Sequence, residues 1–263
     1  MLARCFSAPL LSLLVAVTLV AGAARAESGL VVDYPDSFGV VPAATYDVKR
    51  EKVGKAHLVL EELDDGNVRM FSESGFTAGP RTVLTAMLEP IEAGRKLRPL
   101  LQESRSFDPS GAPMGTLSID HQKGVASCKD AAGELVATLE LPSPDRVANV
   151  TLNLLFLPVV RKDEESVNFQ LFLCGGGAKV VDFVGNLSPD SRNGKGPPAL
   201  EVRYGPDFGI ASMVARSFVP KLSIWYEPKT PNAWLAHRVP LYGKGPEVFV
   251  IREGVPPRWL GED

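Results

Sequence analysis

Three histidines in 263 residues leave little material for histidine-based catalysis, and three cysteines leave little for a thiolate metal site. The chain has no His-Glu-x-x-His and no Gly-x-Ser-x-Gly, which removes the commonest zinc-hydrolase and serine-hydrolase signatures. It also has no Cys-x-x-Cys, so a thiol–disulfide exchange motif is excluded. No metal site and no cofactor are expected from these residues.

Clustered positive charge is missing too. Once the opening segment with Arg4 and Arg25 is set aside, 26 basic residues face 31 acidic ones, a net charge of −5. Binding phosphate requires a concentrated cationic face, so a nucleic-acid partner is not expected.

Long apolar runs are absent apart from one. It covers the 15 residues from Ala8 to Gly22, with Arg4 before it and Ala24-Arg25-Ala26 after it. That order is the order of a secretory signal, and cleavage is expected after Ala26. The run is shorter than the roughly 20 residues that span a bilayer as a helix. No cysteine follows it at the position of lipid attachment, and Cys5 lies in the part removed. The stretch Val147 to Val160 is interrupted by Asn149, Asn153 and Pro158, so no membrane-spanning segment is expected after cleavage. The mature protein is expected in the periplasm or outside the cell.

Cys128 and Cys174 remain after cleavage. An even count in an oxidising compartment favours a disulfide between them, with two buried free thiols as the alternative. No Ser/Pro-rich linker divides the roughly 237 remaining residues, a length that suits one β domain. The expected organisation is a signal peptide over 1–26, an extended segment over 27–44, a single antiparallel β domain over 45–253 and an extended tail over 254–263.

What the sequence does have is a period of two. Leu117 and Ile119 alternate with polar neighbours, as do Leu135, Ala137, Leu139 and Leu141. Val167, Phe169, Leu171 and Leu173 repeat the pattern, and so do Leu200, Val202 and Tyr204. Such alternation puts one row of side chains into a core and the other towards water, as an antiparallel sheet covered on one face requires. Asp65-Gly66, Asp108-Pro109-Ser110-Gly111 and Gly175-Gly176-Gly177 each separate two such runs and read as hairpin turns. Further strands are expected at Tyr46–Val53, Phe218–Tyr226, Trp234–Tyr242 and Glu247–Arg252. Helix is expected only at Thr82–Glu89 and Arg146–Leu157, the latter with Asp145 as a cap and with strand as the alternative. Asn186–Ala199 reads as a long exposed loop. The fold class is all-β with minor helix, a curved antiparallel sheet, β-barrel or half-barrel.

Few residues invite a functional reading. His57 and His121 fall on strands among polar neighbours and are expected to be exposed. His237 shares a strand face with Leu235, Val239 and Leu241, which makes it either a core histidine or a ligand-contacting one. Trp225, Tyr226, Trp234, Tyr242 and Phe249 crowd the C-terminal strands, either as core or, if alternate members face a concave side, as pocket lining. Trp225, Trp234, His237 and Tyr242 are the ligand-contact candidates; no catalytic residue is assigned. The Gly-rich Cys174–Lys179 lacks the Gly-Lys-Ser/Thr ending of a phosphate loop and is read as a turn. Glu61, Glu62, Asp64 and Asp65 form a solvated hairpin tip whose spacing is not that of an EF-hand.

Three stretches carry a family likeness: Tyr46-Asp47-Val48 to Gly54, Leu97-Arg98-Pro99 to Phe107, and Gly115 to Cys128. With Leu141-Pro142-Ser143-Pro144-Asp145 and the closing Leu222-Ser223-Ile224-Trp225-Tyr226-Glu227, the order resembles exported bacterial proteins grouped as domain of unknown function 3108. The resemblance spans roughly Tyr46 to Arg252. It implies a periplasmic, curved or barrel-like sheet and brings no catalytic residues. The Cys128 and Cys174 pair and the Asn186–Ala199 loop depart from that pattern.

The expected function is non-catalytic: binding of an apolar or glycolipid-like envelope ligand, or of an envelope protein partner. A structural or assembly factor with a solid core is the alternative, and a hydrolase-type enzyme using His237 comes third.

Overall fold

Among the described residues, inward and outward side chains alternate along 15 strands, which the computed structural model places at Val32–Asp33 (β1), Gly39–Tyr46 (β2), Lys52–Glu62 (β3), Val68–Gly75 (β4), Arg81–Ile91 (β5), Lys96–Phe107 (β6), Pro113–Asp120 (β7) and Val125–Lys129 (β8). They continue with Leu135–Glu140 (β9), Ser166–Cys174 (β10), Ala178–Ser188 (β11), Leu200–Pro206 (β12), Leu222–Tyr226 (β13), Trp234–Pro240 (β14) and Glu247–Arg252 (β15). Two short helices, Leu152–Leu155 (α1) and Leu157–Arg161 (α2), lie between β9 and β10. The structure describes residues 31–175, 177–188, 198–207, 222–243 and 245–260. The expected signal peptide, Phe218 to Lys221 of one expected strand, and 189–197 of the expected loop lie outside the described residues.

The strands form one antiparallel sheet, β10 through β15 in sequence order and then β2 through β9, with β1 added beside β6. The β15–β2 pairing joins the two ends of the domain, with Phe249 opposite Tyr46 and Ile251 opposite Ala44. The sheet curls into a nearly closed barrel, as the two-residue period predicts.

Closure comes from side chains and one irregular segment. Val147 bridges Gln170 in parallel, the Ala148 N–H donates to Gln170 O at 2.9 Å, and the Asn149 amide exchanges two hydrogen bonds with the Phe172 backbone at 2.7 and 2.9 Å. The open edge of β10 is thereby satisfied without a partner strand. On the other side of the segment, Gln102 of β6 holds the backbone of Val147, Asn149 and Val150. Beyond this seam, β7 to β9 fold over the outer face of β10 and β11. Ile119, Ala126 and Leu141 pack there with Phe172, and the Cys128–Cys174 disulfide is formed within the same cluster, linking β8 to β10.

The lower end of the barrel is solid. Leu152, Leu155, Phe156 and Val160 of the helical segment are buried against Met70, Phe169 and Tyr226 of the wall. Burying each such side chain contributes about 1.5–3 kcal/mol. The Phe156 ring lies so close to β11 that a Cβ on Gly185 would sit 2.4 Å from it, so glycine is required at that position. Arg161, at the end of α2, is tied to Asp33 at 2.9 Å and to Asp36 at 2.8 Å.

Four expectations are corrected. Tyr46–Val53 is not one strand: Tyr46 ends β2, Lys52 and Val53 begin β3, and the residues between them turn, because the Asp47 carboxylate accepts the N–H groups of Lys49 and Glu51, both at 2.9 Å. Thr82–Glu89 is not helix but the body of β5, where Thr82, Leu84, Ala86 and Leu88 alternate and pairing on both edges overrides local propensity. In Arg146–Leu157, Arg146 ends a 3₁₀ turn over Pro144–Arg146, Val147 makes a β-bridge, the residues up to Val150 are irregular, and α-helix begins only at Leu152; its cap position is Thr151, not Asp145. The tail is not simply extended: a 3₁₀ turn over Pro257–Leu260 buries Trp259. The three predicted hairpins stand where the turn residues place them, between β3 and β4, β6 and β7, and β10 and β11.

Candidate functional site: a recess in the upper half of the barrel

Strand register fixes which residues face the interior. Directly opposed residues in an antiparallel pair point the same way. Starting from the buried Ile224, the row runs to His237, Val250 and Thr45. On the far wall, Leu58 continues to Ser72, Leu84 and Ser104. Ser74, Thr82 and Ser106 form the next row towards the upper end.

These upper rows are not sealed. His237, Val239, Val250, Leu222, Ser72, Leu84 and Ser104 all point inward yet retain accessible surface, in contrast to the fully buried Phe156, Phe169 and Ile224 below. A filled protein interior leaves little such surface; Thr45, Ala56, Thr82 and Val248 are buried here, and the accessible side chains beside them outline a recess in the upper half. One wall carries serines and Leu84; the other carries Leu222, Val239, Val250 and, from β10, Leu171.

A turn crosses the upper end. Leu241 is buried, and its carbonyl accepts the Thr82 hydroxyl of β5 at 2.7 Å. In the same turn, a Cβ on Gly243 would lie 3.9 Å from the Cys174 carbonyl of β10.

The recess floor holds a polar pair. Tyr204 Oη and His237 Nε2 are 2.6 Å apart, with ring centroids separated by 5.9 Å. Part of the His237 surface is accessible, yet the ring lies deep between the walls, and this desolvation lowers its pKa to about 4. Burial raises the Tyr204 pKa. At neutral pH the phenol therefore donates to Nε2, which leaves the ring proton on Nδ1. Tyr226 is also held neutral by burial, and its hydroxyl donates to the Asn153 carbonyl at 3.1 Å.

The four ligand-contact candidates are divided among three places. His237 and Trp234 face the interior, His237 at the recess and Trp234 near the lower end opposite Tyr226. Tyr242 is half-buried in the crossing turn. Trp225 faces outward: it packs with Leu235, Ala236, Phe249 and Ile251 beneath Trp259, so it does not line the recess. Trp225 alternates with the inward Ile224 and Tyr226 along β13, and a bulge in the β13–β14 pairing makes Leu235 an extra residue that joins the outer cluster instead of sharing a face with His237.

The other histidines depart from expectation. His121 is buried, 2.8 Å from Gln102 Nε2 and with Nδ1 3.0 Å from Pro144 O. His57 is half-buried against the Phe71 ring, at a centroid distance of 5.4 Å. Gln102 itself, fully buried, was invisible to pattern reading. Among the described residues no group of three or more His, Cys, Asp or Glu is placed to hold a metal, and no helix is long and apolar enough to cross a membrane. At the acidic hairpin tip, Glu61 pairs with Arg69 and Asp65 accepts the Asn67 N–H at 3.0 Å, a self-satisfied turn.

No family model matches the chain, and no curated protein matches it. Among solved structures, the crystal structure of a beta-barrel-like protein of domain of unknown function DUF1849 from Brucella abortus is similar. It is 13% identical, with 82% of this chain and 96% of that chain covered and a TM-score of 0.39. The barrel assignment rests on the strand register above.

Proposed function

We propose that the protein is an exported, non-catalytic binding protein that holds an apolar or glycolipid-like ligand of the cell envelope in the upper half of its barrel. The observation that carries this reading is a difference within one interior: the helical segment with Phe169, Ile224 and Tyr226 fills the lower half, while Ser72, Leu84, Ser104, His237, Val239 and Val250 point inward above it and keep accessible surface. A preformed, largely apolar concavity with a few convergent polar groups suits a small-molecule site. The signal-like opening, the disulfide and the sequence resemblance to exported proteins of the domain of unknown function 3108 type support the location. An acid–base role for His237 gains nothing from the geometry, because its Nε2 is engaged by the Tyr204 phenol.

Native mass spectrometry of protein purified from a periplasmic fraction tests the reading, together with titration by the neutral apolar fluorophore N-phenyl-1-naphthylamine. The expected result is a co-purifying adduct or saturable, one-to-one probe binding. A ligand-free mass with no probe binding overturns it in favour of a structural or assembly role.

A further inference from the structure

We infer that the recess selects uncharged amphiphiles, molecules with an apolar chain and a hydroxyl or carbonyl end, and rejects the corresponding anions. This rests on the binding reading above and narrows its ligand class.

Among the described residues, the inward rows contain no carboxylate, ammonium or guanidinium between the two ends of the barrel. Across β13, β14, β15, β2, β3, β4, β5 and β6, the upper inward positions are Leu222, His237, Val239, Val248, Val250, Thr45, Gly54, Ala56, Ser72, Ser74, Thr82, Leu84, Ser104 and Ser106. Lys179 of β11, Glu62 of β3 and Arg252 of β15 share the inward parity: Lys179 and Glu62 stand exposed at the upper and lower rims, and Arg252, the last residue of β15, is half-exposed and paired with Glu227 at 3.3 Å. An anionic head group entering the recess therefore meets no unpaired cation among the described residues between the rims, and an unpaired charge removed from water is strongly disfavoured.

A neutral polar group fares differently. Among the described residues none supplies a hydrogen-bond partner to the hydroxyls of Ser72, Ser74, Ser104 and Ser106, which stand side by side on β4 and β6 across Leu84 and Thr82 of β5. Hydroxyls donate and accept, so this wall matches an alcohol, ester or amide in either orientation. Facing it, Leu171, Leu222, Val239 and Val250 offer an aliphatic surface for the chain. The Tyr204–His237 pair is neutral at pH 7.5, which keeps the floor uncharged.

The test is displacement of N-phenyl-1-naphthylamine from the full mature chain at pH 7.5 by 1-dodecanol and by dodecanoate. Dodecanol is expected to displace the probe at least about ten-fold more effectively, since each hydrogen bond lost or charge left unpaired shifts affinity by this order. Ser72→Ala combined with Ser104→Ala is expected to weaken dodecanol about five- to ten-fold and leave direct probe binding unchanged. Equal or better displacement by dodecanoate overturns the inference, as does a double variant that binds dodecanol like the parent. If the probe itself does not bind, the recess reading fails first, and the two failures are thus distinguishable. A double variant with an altered circular dichroism spectrum is replaced by Ser104→Thr, which retains a hydroxyl and is expected to retain dodecanol preference; loss of that preference also counts against the inference.

Discussion

Gln102 and His121 meet at 2.8 Å inside the seam of the barrel, the amide Nε2 donating to the ring Nε2 while the ring Nδ1 donates to Pro144 O. The same amide donates to Val147 O at 2.9 Å, and its oxygen accepts the N–H groups of Asn149 and Val150 at 2.9 and 2.7 Å. Every hydrogen-bonding capacity of one buried side chain is thus spent on fastening the irregular segment to β6. Gln102→Leu keeps the volume and strands two backbone N–H groups, a carbonyl and a ring nitrogen. Leaving each such group buried and unsatisfied costs about 1–3 kcal/mol, so the variant is expected to lose about 3 kcal/mol or more in urea denaturation. A loss below about 1 kcal/mol would show that water enters the seam and replaces the amide.

The disulfide acts on the same seam from outside. Cys128 and Cys174 are 46 residues apart, with Cα atoms 5.9 Å from each other, and they join β8 to β10, strands that share no hydrogen-bonded edge. In the chain-entropy model a loop of this length constrains the unfolded state by roughly 4 kcal/mol, and measured values are often smaller. Reduction, or the double substitution to Ser, is expected to lower the melting temperature by several degrees. Calorimetry of the oxidised and reduced chain decides the point; coincident melting curves exclude a stabilising role.

Histidine burial sets the acid response. His237 in the folded chain has a pKa of about 4, below the ordinary 6.5, and that of His121 is also lowered, chiefly by burial. Between these limits the unfolded chain binds protons that the native state refuses, so stability is full above pH 6.5 and is lost as pH falls towards 4. For His237 the loss amounts to about 2–3 kcal/mol, somewhat under the full linkage value because part of the ring is accessible. Asp108 and Asp120 have lowered pKa values and exposed settings, and they act only below their ordinary 3.8. Denaturation midpoints at pH 7 and pH 4.5 are expected to differ less in His237→Gln than in the parent. An equal difference in both chains would assign the acid sensitivity elsewhere.

How much of this was legible depends on where alternation holds. Along β10 and β12 it is unbroken, so Phe169 and Val202 read correctly as core from sequence. On β6 a bulge makes Leu100 an extra residue: Leu88 faces Pro99 and Met87 faces Leu101. Parity flips there, which exposes Leu101 and buries Gln102, the reverse of what polarity suggests. His121 followed the same error, because its polar neighbours conceal the fact that its partner lies 19 residues away. The recess was legible only in part: His237 stood out as a polar ring in an apolar strand, whereas the serines on β4 and β6 looked like any water-facing row. Their inward orientation comes from closure of the sheet, which local pattern does not encode.

The outer aromatic cluster makes a prediction that separates stability from binding. Trp225, Phe249 and Ile251 pack on the outer face of the wall, and Trp259 from the C-terminal turn covers them. The Arg50 guanidinium stands 3.5 Å above the Phe249 ring centroid on the same side. Trp259→Ala removes the cover and leaves a gap over three large apolar side chains, a change that costs about 3–5 kcal/mol in a buried setting. The recess lies on the opposite face of β13, β14 and β15, so N-phenyl-1-naphthylamine affinity is expected to remain within about two-fold of the parent wherever the variant is folded. Binding lost in parallel with Trp259 burial, in a chain whose circular dichroism is unchanged, would place the ligand outside the barrel, against the outer aromatics.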